Sequence, residues 1–207
     1  MNLKNSIAHS FLVWMSMLFL ALGHSQKLET SFHTVVVEMS HFVELRLDSS
    51  NELDTYSINE KQSGEYSDAV IFKSFIANDT LFFEDAMSPV FELPQDKLSA
   101  HKITDSKANI KIPKNKSVLI SMAHTNAEIS GDYQLLRVNV SNGSVWLNSV
   151  SGNSEITTIN ANVIGSQLGN YEVTASSRNG KVSASSKKNH PAYTMTVESV
   201  NGNIEIQ

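Results

Sequence analysis

Apolar and polar positions alternate with a period of two through much of the chain, and no stretch carries a convincing helical period. In HFVELRLD (41–48) Phe42 breaks phase, and then Val43, Leu45 and Leu47 alternate with Glu44, Arg46 and Asp48, as in a strand with one buried face. HTVVVEM (33–39), LDTYSIN (53–59), AVIFKSFIA (69–77) and DTLFFED (79–85) are further strand candidates, with polar turns near Asn51, Gly64 and Asn78. Pro89 and Pro94 bracket a loop leading into DKLSAHK (96–102). The pattern predicts an all-β protein.

Beyond residue 112 the alternation becomes a repeat. The tetrad Asn-[Gly/Ala]-x-[Ile/Val] occurs at Asn126, Asn142, Asn160, Asn179 and Asn201, at intervals of 16, 18, 19 and 22. Four residues before each Asn stand Met122, Val138, Ile156, Ala175 and Val197, and three after stand Ile129, Val145, Val163, Val182 and Ile204, all apolar. Six before stand Ile120, Leu136, Ser154, Val173 and Met195, with Ser154 the exception. The columns between are mostly polar, so each repeat reads as strand, corner, strand.

Two architectures share that pattern: stacked β-solenoid coils with Asn at a corner, or a meander of tight Asn-Gly hairpins. Two of the five tetrads carry Ala127 and Ala161 in place of Gly. A type I′ hairpin needs positive φ at both central residues, which Ala resists; a corner with one left-handed residue can place Asn there and accept Ala second. This favours the solenoid. Coils of about 19 residues would have a perimeter near ~60 Å, and five would stack to about 24 Å. Stacked Asn side chains could then form a hydrogen-bonded ladder.

The repeated Asn-Gly-x-Val strands from 112 to 207, with the IPKNKSV lead-in (112–118), resemble the bacterial envelope domains of unknown function known as putative adhesins, an auto-transporter-adhesin-like family. The resemblance covers nearly half the chain well. It implies a right-handed β-solenoid of about five short coils, and it transfers no catalytic residue. The Ala-bearing tetrads and the Phe-rich first half depart from the plainest form of that repeat.

Composition adds an address. Residues 1–25 read as a secretory signal: Lys4 at the start, the apolar stretch Phe11 to Leu22, and the small residues Gly23 and Ser25 before a cut at Gln26. The apolar stretch is shorter than the roughly 20 residues of a membrane span. Residues 26–207 are then a single all-β domain, with a strand-rich, Phe-containing part at 26–111 and the repeat part at 112–207. All nine Phe lie at or before Phe91, and seven of nine Gly lie at or after Gly131. With no Cys and a net charge of −5, thiolate metal sites, Cys nucleophiles and disulfides are excluded, and no basic block offers a nucleic-acid surface. A secreted, Cys-free chain fits a bacterial periplasm or cell surface, reached by the general secretory route, and not an integral membrane protein once the signal is cleaved.

Catalytic motifs are sparse. Ser99 and Lys102 give Ser-x-x-Lys without the elements that accompany it in acylating enzymes. His33, His41, His101, His124 and His190 form no metal-binding pair, and His124 falls nominally inward. The repeat acids Glu128, Glu155, Glu198 and Glu205 fall in different columns, and Asp85, with Glu60, Glu65, Asp68 and Glu84, reads as solvating strand ends and turns. No cofactor, metal or catalytic residue is expected. The remaining candidate is Trp146, which faces outward beside Ile164 on the next coil unless a loop or the Phe-rich first half covers both. The expected role is an adhesin-like or structural envelope protein that meets a cell-surface glycan or protein; the alternatives are a carbohydrate-binding module and a carbohydrate-active β-solenoid enzyme. The last repeat, Asn201 to Gln207, ends on a strand and so points to end-to-end self-association through the C-terminal coil, or to a cap formed by the chain's own earlier strands.

Overall fold

A computed structural model describes residues 31–207 apart from 52, 54, 65–68, 92–103, 169 and 186–189. The signal segment and DKLSAHK therefore lie outside the described residues. Residues 31–207 form one compact unit, and all its regular structure among the described residues is strand, apart from a single 3₁₀ residue at Ala69. The strands are β1 (Thr34–Met39), β2 (Glu44–Ser50), β3 (Ser57–Gly64), β4 (Val70–Ala77), β5 (Thr80–Met87) and β6 (Thr104–Pro113), followed by β7 (Lys116–Ser166), β8 (Tyr171–Ser177), β9 (Val182–Ala184), β10 (Tyr193–Ser199) and β11 (Ile204–Ile206). Of LDTYSIN only the last three residues are in β3, because Tyr56 turns its ring between Phe32 and Phe83.

Nearly all pairing is parallel and in register. Val37 lies between Phe83 and Ile120, and Leu47 lies between Ile110 and Ile129. These residues are all buried, so apolar columns run without a break from the first half into the repeats. The Phe-rich part is thus built into the same sheet, with β1 and β2 laid against the first pass of β7. Its rings close one end of the core: Phe72 of β4 packs on Phe42 and stacks on Phe83, and Tyr56 meets Phe83 edge-on. β3 and β4, antiparallel to β6 and β5, are the outer strands there.

β7 runs for 51 residues and turns back beside itself, as the bonds between Ser117 and Gln134, Asn142 and Ala123, and Asn160 and Asn142 record. The corner Asn residues do form a ladder. Asn179 donates to Asn201 (2.6 Å), Asn201 to Asn160 (2.6 Å) and Asn160 to Asn142 (2.9 Å). None of the tetrad Asn has positive φ; among non-glycine residues the left-handed positions are Asn78, Asp79, Asn115, Ser149, Gln167 and His190. Asn142, Asn160, Asn179 and Asn201 are therefore held by their side chains and not by an unusual backbone. In Asn142-Gly143 it is Gly143 that takes the left-handed position (φ 125°), where a Cβ would collide with the Thr125 carbonyl. Buried hydroxyls complete the corners: Thr125 donates to the Phe42 carbonyl (2.7 Å), and Ser199 Oγ accepts the Gly202 N–H (2.8 Å). At the first tetrad the alternation shifts by one residue just before the Asn, which leaves His124 exposed and turns Thr125 inward in its place.

The order of the ladder, 142–160–201–179, is not the order of the sequence. β10 pairs with β7 on one side and β8 on the other, and β11 lies between β7 and β9. The sequence places the final pass at the end of the stack; the structure places it inside, filling the slot between Ser154–Ser166 and Tyr171–Ala184. Gly202 is required there because a Cβ would strike the Ala161 carbonyl. The outermost pass is instead β8–β9, where the column residue Val182 is 43% exposed.

Asp85 departs from its expected solvating role. Its side chain is fully buried and accepts the backbone N–H groups of Ser40, His41 and Phe42, each at 2.8 Å, at the corner joining β1 to β2. Removing the carboxylate strands these donors. We expect Asp85→Ala to cost about 3 kcal/mol or more of unfolding free energy, since charge-assisted bonds contribute about 1.5–3 kcal/mol each. Chemical denaturation measures this directly, and a loss below ~1 kcal/mol would contradict the assignment.

Candidate functional site

Period-two phasing decides which side chains reach solvent. Val145 and Leu147 are buried, so Trp146 between them must point outward, where it is half-buried. Ala127 and Ile129 place Glu128 outward in the same way. In β2, Glu44 lies opposite Asn126 and Arg46 opposite Glu128. These residues meet in one groove: Glu44, Asn126, Glu128, Trp146 and Asn148 line a cleft of about 390 Å³.

Both carboxylates of the groove are engaged by cations. Glu128 Oε2 accepts from Arg46 Nη2 at 2.7 Å and from Arg46 Nε at 3.0 Å, while Asn148 Nδ2 lies 3.4 Å from Oε1. Glu44 Oε2 lies 3.1 Å from Lys107 Nζ, and Asp105 approaches the same ammonium at 3.6 Å. The hydrogen bond that Lys107 donates to Glu44, followed by the field of Asp105, raises Lys107 above the ordinary lysine range. Each carboxylate of the groove is thus offset by a cation that stands outside the cleft lining. Asn126 differs from the other corner Asn residues. Asn142 turns its amide N–H₂ to the Ala123 carbonyl, so the ladder stops short of Asn126, whose exposed carboxamide borders the cleft.

Ile164 also points outward and is 36% exposed. The bonds Asn160–Asn142 and Ser166–Asn148 both span 18 residues and bracket Trp146 and Ile164, so the two are neighbours on adjacent passes. Ile164 does not line the cleft, however, and its partner on the far side is Glu205. Neither the first half nor a described loop buries this face. A second cleft of about 350 Å³ lies across the Arg46–Glu128 pair, lined by Arg46, Asp48, Asn59, Asn109 and Lys111 among others.

Sequence inspection finds Trp146 but misses Glu44, Arg46 and Glu128. The available signal was the alternation of Glu44-Leu45-Arg46-Leu47-Asp48, which matches Asn126 to Ser130 residue for residue. Among the described residues, no group of three or more His, Asp or Glu is placed to hold a metal ion. His33 faces Asp79 at 2.6 Å at the surface, His41 lies beside Asp85, and His190 accepts from Asn170 through its carbonyl. Tyr133 is pushed well above the ordinary tyrosine range, first by burial, and its hydroxyl donates to the Ser130 carbonyl.

No protein-family model matches the chain, and no curated protein does either. Solved structures that resemble it include a putative cell adhesion protein from Clostridium sporogenes, with a TM-score of 0.54 at 14% identity over 85% of this chain and 93% of that one. A putative adhesin from Bacteroides fragilis aligns with a TM-score of 0.31 at 12% identity, over 86% and 93%. The first of these shows a shared fold. No helix among the described residues is long and apolar enough to cross a membrane.

The phasing makes a direct prediction about Trp146. Trp146→Ala should cost less than about 1.5 kcal/mol, whereas Leu147→Ala, one residue on and buried, should cost about 2–5 kcal/mol. Denaturation of the two variants side by side checks this, and equal losses would contradict an outward Trp146.

Proposed function

We propose that this chain is an adhesin-like protein that binds a ligand on a lateral groove, without catalysis, on a right-handed β-solenoid with about five C-terminal coils. The observation that carries the reading is the groove itself: a half-exposed aromatic set among polar side chains on a continuous sheet. Parallel pairing of Ile204 with both Val163 and Val182, together with the Asn ladder, supports the coil reading. Right-handed connection is the general rule for parallel crossovers. The fold shared with a putative cell adhesion protein supports surface binding, and the leader supports export to the periplasm or cell surface.

Glu44 and Glu128 line one cleft, which is the specific observation favouring a carbohydrate-active enzyme instead. Against it stands the engagement of each carboxylate by a cation, since a glycosidase pair needs one group free to carry and deliver a proton. Two measurements test the binding reading. Adsorption of the purified full chain to bacterial envelope fractions should fall at least tenfold in a folded Trp146→Ala variant; unchanged adsorption would sink it. No reducing ends should appear on a polysaccharide panel, whereas release abolished by Glu128→Gln would establish the enzyme.

A further inference from the structure

We infer that the groove at Trp146 takes a neutral glycan, an inference that rests on the binding role proposed above. The cleft, at about 390 Å³, lies within the range of small-ligand sites, and its lining decides what can occupy it. Trp146 is its one aromatic side chain, supplying a flat apolar face and an indole N–H that no described residue accepts. The other four lining residues are two carboxylates and two carboxamides, rich in hydrogen-bond acceptors. A pyranose has the matching character: an apolar C–H face to lie on a ring and a rim of hydroxyl donors for carboxylates and amides.

Charge narrows the class. Arg46 is held by Glu128, and Lys107 by Glu44 and Asp105. Among the described residues no cation lines the cleft, so a sialylated, uronic or sulfated sugar would bring a negative charge beside two carboxylates with no free cation to meet it. A cationic ligand gains little, because each acid already faces a cation. Peptide capture is disfavoured on different grounds. Peptides bind by strand addition at a sheet edge or by seating several apolar anchors, and this cleft lies on the sheet face with a single apolar side chain.

The amide of Asn126 gives independent support. Its counterparts Asn142, Asn160, Asn179 and Asn201 bond to one another along the ladder, and only Asn126 presents its carboxamide to the groove. A planar amide beside a carboxylate can meet adjacent hydroxyls of one sugar, one oxygen accepting and the N–H₂ donating. The second cleft, across the Arg46–Glu128 pair, is lined by the cations Arg46 and Lys111 as well as by Asp48, Asn59 and Asn109, so the neutral class is assigned to the sugar seated at Trp146.

The experiment uses the purified full chain and isothermal titration with neutral hexasaccharides of glucose, mannose and N-acetylglucosamine, set against oligogalacturonate and sialyllactose. Tryptophan fluorescence is read in parallel, with Trp146→Phe as baseline because the chain also carries Trp14. At least one neutral hexasaccharide should bind and shift the Trp146 emission. Its affinity should fall tenfold or more in Trp146→Ala and twofold to tenfold in Asn126→Ala, which keeps the test open should the Trp variant fold poorly. Acidic probes should bind at least tenfold more weakly. Equal binding of an acidic probe would overturn the neutral class. Envelope adsorption that depends on Trp146 while no hexasaccharide binds would overturn the glycan and leave the groove standing; adsorption indifferent to Trp146 would overturn the groove itself.

Discussion

Apart from the outer strands β3 and β4, the paired passes of this chain lie parallel, residue opposite residue, so that the phase of one pass sets the phase of its neighbours. Val35, Val37 and Met39 point inward, and therefore so must Val118, Ile120 and Met122 beside them. A one-residue slip anywhere would send an apolar column into solvent, which makes the register strongly specified. Between passes the corners carry the same constraint. The Asn ladder and the Thr125 and Ser199 hydroxyls satisfy backbone and side-chain groups that a bare turn would leave unpaired.

The groove is a consequence of that register. Glu44 and Arg46 come from β2, Asn126 and Glu128 from the first pass of β7, and Trp146 and Asn148 from the second. Arg46 and Glu128 stand 82 residues apart in the chain, yet strand pairing brings them together. A site built on strands is held in place by the sheet, and ligand contact need not order a flexible segment first. The same register separates Ile164 from the cleft by one pass and leaves it beside Glu205.

Much of this was legible. Alternation placed most of β2 and showed Trp146 outward, and the repeated Asn foretold the hydrogen-bonded ladder. What escaped depends on which pass lies beside which, and alternation is silent on that. Nothing in the spacing of Val163, Val182 and Ile204 says that the last lies between the other two. Asp85 reads as a polar strand end, and only contacts 43 to 45 residues away reveal it as the buried acceptor of three N–H groups. His124, two before Asn126, matches the inward position of the other repeats, but a one-residue shift in the alternation puts Thr125 there.

The account stands on this pairing order, and above all on the C-terminal pass lying within the stack. Without residues 193–207, β8 and β9 lose the strands they pair with among the described residues. Amide hydrogen exchange on the full chain and on a chain ending at Ala192 reads this out segment by segment. The account predicts that truncation abolishes slow exchange across 171–185 while 116–150 stays protected. Retained protection across 171–185 in the truncated chain would contradict it.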